Sequence, residues 1–409
     1  MIFNPCDIYL PARRADFDRW AVIACDQYTS QREYWDKVAS FVGDAPSALN
    51  IIQPEIDLDK ADARLPSVHG AMETYAGNGT LNKAVENGFV LTLRETSDGL
   101  RVGLVGAVDL ESYDYTPGTD LPVRASEKTI TSRIPPRLKI REGALLEATH
   151  VLMLMDDPMD TVLGPLKQNL SSLRELYDFD LMLGGGHVRG YAVEGEEQLN
   201  AIQKALFSLY QKGEGFLFAV GDGNHSLATA KAYWEELKPT LTEEELVIHP
   251  ARKALVELNN IHAESLIFKP IHRVLFGVKD MGAVISSYKE YLAEKGCSLR
   301  EGGNLAFVTE KGEKTYTVEG CGNQLDTVLL EPWFEQYAKE NGLTADYVHG
   351  DESLREVARG KDALGILLGP IDKNALFPSI VSGGVLPRKS FSMGEANDKR
   401  FYIETRKIK

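Results

Sequence analysis

The sequence predicts a mixed α/β fold, in which sheets carry flanking helices along nearly all of the 409 residues. Three observations carry that prediction. Phe216–Val220 is apolar throughout, as strands buried on both faces are, and it breaks at Gly221 into a polar glycine turn followed by the helix-forming run Leu227–Leu237. Phe89–Arg94 and Arg101–Val108 flank the turn TSDG and read as a hairpin. Beyond Asp280, helical and extended patterns alternate to near the end.

Taken in order, Gln31–Val42 and Leu81–Asn87 have helical spacing, and with the hairpin they suggest an N-terminal α+β lobe over residues 1–115. Tyr115–Pro136 is polar and proline-bearing without periodicity, the character of a functional loop. Val151–Met155 reads as a strand, Asp160–Tyr177 as a helix, LMLGGGHVRGYAV as two strands around a glycine turn, and Glu196–Gln211 as a helix. With Lys253–Ile261, these make a central domain over residues 116–279. A C-terminal α+β region, 280–409, follows: a helix at Ala283–Glu294, a hairpin over Leu305–Val318, a helix at Val328–Glu340, a strand at Asp346–His349, a helix at Glu352–Ala358 and a strand at Ala363–Leu368.

Composition narrows the function. The formal charge of −15 argues against a protein that binds nucleic acid by neutralising many phosphates. Cys6, Cys25, Cys297 and Cys321 form no C-x-x-C pair, which suggests neither a zinc knuckle nor a disulfide framework and fits a reducing cytoplasm. No run of about 18 apolar residues suggests a membrane span, and no apolar leader is evident. A small-molecule partner is the expectation, with the oligomeric state open.

The strand–turn–helix junction FLFAVGDGNHSLATAK is the leading candidate site. Gly221 and Gly223 allow backbone angles and close approaches that a Cβ forbids. Asn224 or Ser226 can cap the following helix, whose free N–H groups favour an anion such as phosphate. The spacing fits neither a P-loop nor a dinucleotide fingerprint. Asp222 would repel a bare phosphate, so it suggests a bridging Mg²⁺ or a hydroxyl to be deprotonated, while His225 can donate or shuttle a proton. Local turn chemistry alone would also account for Gly, Asp and Asn, although not for the histidine.

Other stretches offer charge. VRASEKTITSRIPPR gathers Arg124, Glu127, Lys128, Thr129, Arg133 and Arg137; its arginines suit phosphate oxygens and its carboxylate a base, or the segment is a solvated loop. WAVIACDQYTS places Cys25, Asp26, Gln27, Tyr28 and Ser30 between an apolar run and a helix. His187, His272 and His349 are isolated and lack metal-ligand spacing. Arg388, Lys389, Ser390 and Ser392 follow a glycine pair near the end, as an anion-binding loop or a terminal turn.

VIACDQYTS, the R-x-x-E-x-T pattern of Arg124, Glu127 and Thr129, the P-x-H-R of Pro270, His272 and Arg273, and the P-x-K-S of Pro387, Lys389 and Ser390 together resemble a bacterial and archaeal family known as domain of unknown function 1015. The resemblance runs almost end to end and implies no activity. The glycine turn is also similar to the DGHHR-type turn of the ParB and sulfiredoxin superfamily, which includes kinases acting on free serine. That likeness implies a nucleotide-phosphate and metal site at Asp222, Gly223 and His225. Asn224 and Ser226 depart from it, standing where a histidine and an arginine are usual, and Arg124, Arg137 or Arg273 are candidates to supply the missing cation.

The expectation is a cytoplasmic phosphotransferase using ATP or ADP with Mg²⁺ and acting on serine or a related hydroxy amino acid. Asp222, His225 and Glu127 would be catalytic, with Asp222 on the metal. Gly221, Gly223, Asn224, Ser226, Arg124, Lys128 and Arg137 would hold the nucleotide. The alternatives are a metal-dependent phosphatase or hydrolase using Asp222 and His225, and a non-catalytic sensor of a phosphorylated metabolite.

Overall fold

A computed structural model describes residues 1–24, 28, 31–321 and 325–409. The architecture is mixed α/β. The chain divides into two compact units, one formed by Met1–Leu266 with Gly394–Lys409 and the other by Ile267–Met393. The sequence suggested three segments, 1–115, 116–279 and 280–409. The boundary at 115/116 instead falls inside one sheet, because Val123–Ala125 pairs with both Tyr113–Asp114 and Phe218–Asp222. The last sixteen residues return to the first unit, where Thr405–Lys407 pairs with Leu146–Ala148 and Thr405 with Tyr9.

The first unit is built on a 13-stranded mixed sheet. Its order runs Tyr113–Asp114, Val123–Ala125, Phe218–Asp222, Val151–Met155, Lys253–Asn260, Gly99–Asp109, Leu81–Thr96, Cys6–Pro11, Thr405–Lys407, Leu146–Ala148. Phe3–Asn4 and the hairpin Arg174–Asp180/His187–Val193 join off this path. Phe218, Val220, Met153 and Leu258 are fully buried in one core cluster. Each such side chain contributes about 1.5–3 kcal/mol relative to leaving it in water.

One expected helix is a strand and another survives only in part. Leu81, Val85 and Gly88 recur at helical spacing, yet they lie in the strand Leu81–Thr96. The cause is a pair of register shifts against Cys6–Pro11, between Cys6 and Ile8 and between Ile8 and Tyr9, which break the alternation of faces; Asn87, at φ 45°, sits at the irregularity. Asp160–Tyr177 keeps only the short helix Gly164–Gln168, and Arg174–Asp180 is drawn into pairing with His187–Val193. Tertiary pairing overrides helix propensity there. The expected helices Gln31–Val42 and Glu196–Gln211 form as Arg32–Val42 and Glu196–Lys212.

The second unit holds a 6-stranded sheet centred on Phe268–Phe276 and Ala363–Leu367, with helices Met281–Glu294, Asp326–Glu340 and Asp351–Ala358. The elements expected there form to within a few residues, apart from the longer hairpin strands Ser298–Thr309 and Gly312–Glu319, while the helix Leu376–Gly383 and the strand Phe391–Met393 had no counterpart in the sequence expectation. One expectation is corrected. Cys297 and Cys321 are joined by a disulfide, their Cα atoms 5.4 Å apart, because the hairpin pairs Ser298 with Glu319 and so brings its two ends together. The cysteine argument for a reducing compartment therefore falls away. Among the described residues no helix is long and apolar enough to cross a membrane.

Candidate functional site

The glycine turn joins the strand Phe218–Asp222 to the helix Asn224–Leu237. The strand lies between a parallel neighbour, Val123–Ala125, and an antiparallel one, Val151–Met155, and its ladder with the latter slips between Val220 and Asp222. Such a bulge bends the strand end and re-aims its side chains. Gly223 then takes φ +84°, and a Cβ there would lie 3.1 Å from Val151 Cγ2 and 3.2 Å from its Cα. Only glycine suits both the angle and the space. Leu227, Ala228, Ala230, Tyr233 and Trp234 bury the inner face of the helix and fix its direction. Gly223, at the N-cap position, has no side chain with which to cap the helix. The first-turn N–H groups of such a helix have no acceptor inside it, which leaves an anion-favouring end.

The loop after Val123–Ala125 lies across this turn. Asn224 Oδ1 accepts from the Ser126 N–H, and its Nδ2 donates to Ser126 Oγ, both at 3.3 Å. The Ile130 N–H donates to His225 Nε2 at 3.1 Å. Between these anchors, Glu127 is half-buried, Lys128 exposed and Thr129 buried. The Thr129 hydroxyl has no hydrogen-bond partner among the described residues.

Asp222 is held from two sides. Its Oδ1 accepts the Gly223 N–H at 2.8 Å, and its Oδ2 pairs with Lys399 Nζ at 3.1 Å. The Lys399 side chain is 9% exposed and that of Asp222 35%. Ser226 Oγ lies 2.6 Å from His150 Nε2, and the His150 ring packs 5.0 Å from that of Tyr402. The C-terminal segment thus reaches the junction, since Lys399 and Tyr402 belong to the returning tail.

Behind Lys399 the tail enters a buried ionic cluster. Arg400 Nε contacts Glu257 Oε2 at 2.5 Å and its Nη2 bonds Glu404, which also accepts from Tyr177. Arg101 lies 3.8 Å from Glu257 and donates to the Asp398 carbonyl at 2.8 Å. Arg94 donates to the carbonyls of Gly185 and Asn397. Burial alone would raise the Glu257 carboxyl, but Arg400 and Arg101 together hold it below the ordinary carboxylate range. Burial lowers Arg101, with Glu257 acting against that shift and Asp222 also contributing a small upward pull.

The structure thus brings Gly221, Asp222, Gly223, Asn224, His225 and Ser226 together with the loop that carries Glu127 and Lys128. Two of the expected phosphate ligands are turned to other partners. Arg124 sits beside Ala219, its guanidinium stacked 4.5 Å over Phe216 and its Nε donating to the Leu121 carbonyl at 2.9 Å. Arg137 donates to the Arg133 carbonyl at 2.9 Å from within the helix Ile134–Gly143. Arg273 lies in the second unit, wholly buried on Glu331. His272 is likewise buried there, between Asp351 and the Leu368 N–H. His187 sits on Asp178 and Asp180. Cys25, Asp26, Gln27 and Ser30 lie outside the described residues.

Lys399, Arg400, Glu257 and His150 were not singled out from the sequence. The run NDKRF carried the only available signal for the two cations, and it stood beside the more conspicuous PRKS. Among the described residues no cluster of three or more His, Cys, Asp or Glu side chains could hold a metal ion. A Mg²⁺ ion would therefore arrive on phosphate oxygens, as that ion commonly does with one or two carboxylates, and would reach Asp222 only by sharing it with Lys399.

Residues 7–329 match the family described as "Protein of unknown function (DUF1015)", and the chain belongs to that family. No curated protein matches it. Among solved structures, the chain is similar to a free serine kinase in complex with AMP, at 11% identity and a TM-score of 0.37, covering 74% of this chain and 90% of that one. It is also similar to a conserved hypothetical protein from Pyrococcus furiosus, at 10% identity and a TM-score of 0.36, covering 74% and 94%. A third is SbnI with a C-terminal truncation from Staphylococcus aureus, at 10% identity and a TM-score of 0.37, covering 72% and 86%.

Proposed function

We propose that this chain is a small-molecule phosphotransferase that uses ATP or ADP with Mg²⁺ in the cytoplasm and acts on serine or a related hydroxy amino acid. The observation that carries the reading is the junction itself: an uncapped helix N-terminus at Gly223, crossed by the loop Ser126–Ile130, beside a carboxylate that already holds a lysine. Phosphate oxygens would bind the turn amides of Asn224–Ser226. Lys399 would supply the positive charge that the turn lacks, with Lys128 on the loop as a second cation and Arg124 and Arg137, each now donating one N–H to a backbone carbonyl, as further ones. Glu127 would take the proton from the acceptor hydroxyl, and His225 would orient or protonate a phosphate oxygen. Mg²⁺ bound with the nucleotide would offset phosphate charge, and Asp222 would hold it.

The buried Thr129 hydroxyl supports the loop's place in the site. A buried polar group left unpaired costs about 1–3 kcal/mol, so its orphaned state points to a partner supplied by ligand or water. The metal-dependent hydrolase alternative would need a ligand cluster that the described residues do not supply.

The test is nucleotide-dependent phosphorylation of serine and related hydroxy compounds by wild type and Asp222→Asn, alongside melting temperatures with and without nucleotide and Mg²⁺. Asparagine keeps the size and the turn-forming ability of Asp222 but not its charge. Turnover is expected to fall by about 10²–10⁴-fold in the variant, and the melting temperature is expected to fall with it, because the largely buried Lys399 loses the charge of Asp222. Equal activity in both proteins would remove Asp222 from the mechanism. Nucleotide-dependent stabilisation without turnover anywhere in the panel would favour the sensor.

A further inference from the structure

Ser226 and His150 form a second chemical unit at the junction, and the phosphate-binding role expected of Ser226 does not explain it. Ser226 lies in the first turn of the 14-residue helix Asn224–Leu237, and His150 immediately precedes the strand Val151–Met155. Their side chains are 76 residues apart in sequence and 2.6 Å apart in space, Oγ to Nε2. Both are only partly buried, so the hydroxyl is not sealed in the core. The His150 ring packs against Tyr402, which the ladder of Phe401–Tyr402 with Val22–Ile23 holds in place. A serine at a helix N-terminus with an oriented imidazole at hydrogen-bond distance has the arrangement of an activated nucleophile and its base.

We propose that Ser226 is a nucleophilic hydroxyl, activated by His150, that accepts a phosphoryl group from a nucleoside triphosphate. With His150 Nε2 unprotonated, the Ser226 hydroxyl donates to it. As the Ser226 Oγ–P bond forms, the bond from phosphorus to the nucleoside diphosphate oxygen breaks. The hydroxyl proton passes to His150 Nε2, and the nucleoside diphosphate leaves. The N–H groups of the helix end stabilise the charge on the transferring oxygens without any side chain of their own. The choice of a nucleoside triphosphate as donor rests on the phosphotransferase reading above, whereas the nucleophile rests on the Ser226–His150 geometry alone.

The experiment separates the two. The full chain is treated with an alkyl fluorophosphonate, which needs no nucleotide: Ser226 Oγ bonds to phosphorus, fluoride leaves, and the proton goes to His150. Peptide mass mapping is expected to place the adduct on Ser226. The rate should drop by about 100-fold or more in His150→Gln, and Ser226→Ala should remain unlabelled at this peptide. An unlabelled Ser226 in wild type, or equal labelling rates in wild type and His150→Gln, overturns the proposal. Should His150→Gln not fold, His150→Asn decides by the same comparison, because a labelling rate equal to that of wild type also overturns the proposal. In parallel, γ-phosphate-labelled ATP is expected to yield phosphoserine at position 226. Fluorophosphonate labelling without any nucleotide-induced change in melting temperature would uphold the nucleophile and overturn the donor. Nucleotide binding without labelling of Ser226 would overturn this proposal and leave the phosphotransferase reading standing.

Discussion

Arg273 and Lys399 are both cations drawn out of water, and they end in opposite circumstances. Arg273, on the strand Phe268–Phe276 of the second unit, is wholly buried, with Nε and Nη2 at 2.9 and 2.7 Å from one oxygen of Glu331. Tyr347 donates to the other oxygen and lays its ring 5.4 Å from the guanidinium. Every part of that charge is spent inside the unit. Lys399, in the returning tail of the first unit, meets a carboxylate that is 35% exposed at the end of a strand. A buried cation is available for chemistry only when its partner faces outward, and residue type alone does not reveal which case applies.

The largest expected effect comes from breaking the sealed pair. Arg273→Ala leaves Glu331 charged and unpaired in the interior, and unfolding in denaturant should show a loss of about 3–5 kcal/mol. The double change Arg273→Met with Glu331→Leu should recover most of it, since the charge requiring a partner is then gone. A single change that costs no more than loss of Lys399 would erase the contrast.

Acid should act on the first unit's tail next. Burial opposes ionisation of Glu257 and of Glu147, but Arg400 and Arg101 in the first case, and Arg406 and Arg141 in the second, hold both below the ordinary carboxylate range. A lowered folded-state value means that the stabilisation is fully present above the unfolded value, about 4.3 for Glu, and is lost as pH falls through the lower folded values. Hydrogen exchange corrected for its intrinsic pH dependence should show Thr405–Lys407 losing protection below about pH 4. Unchanged protection down to pH 3 would mean that these carboxylates do not anchor the tail.

The smallest effect on stability is expected at Lys399 itself. Lys399→Met keeps the aliphatic stem and leaves Asp222 open to water, so the loss should be about 1 kcal/mol or less. The nucleotide-induced rise in melting temperature should nevertheless disappear. A variant that still responds fully to nucleotide would separate Lys399 from the site and bring it closer in kind to Arg273.

The junction was legible because its signals are local. An apolar run, two glycines and a helical run within sixteen residues specify strand, turn and helix without reference to the rest of the chain. Leu81–Asn87 was misread because bulges convert a strand's alternation into a helix-like spacing. The tail was opaque for a different reason. Phe401–Tyr402 and Thr405–Lys407 are too short to show a period, and their partners, Val22–Ile23 and Leu146–Ala148, lie far back in the chain. Lys399 and His150 were missed with them, since no local pattern tells a lysine that it will meet Asp222 or a histidine that it will meet Ser226.

Asp222 precedes its lysine by 177 residues, with the whole second unit lying between them in sequence. On a ribosome working at about 5–20 residues per second, that interval lasts roughly 10–35 s. Within it Glu257 is made and stands without Arg400, and throughout it the strand Leu146–Ala148 stands without Thr405–Lys407. A nascent chain thus carries the glycine turn long before it carries the lysine, and a product terminated early would have Asp222 without its ion-pair partner. Pairing of Asp222 with Lys399 is therefore a late assembly step, completed only after the second unit has been made.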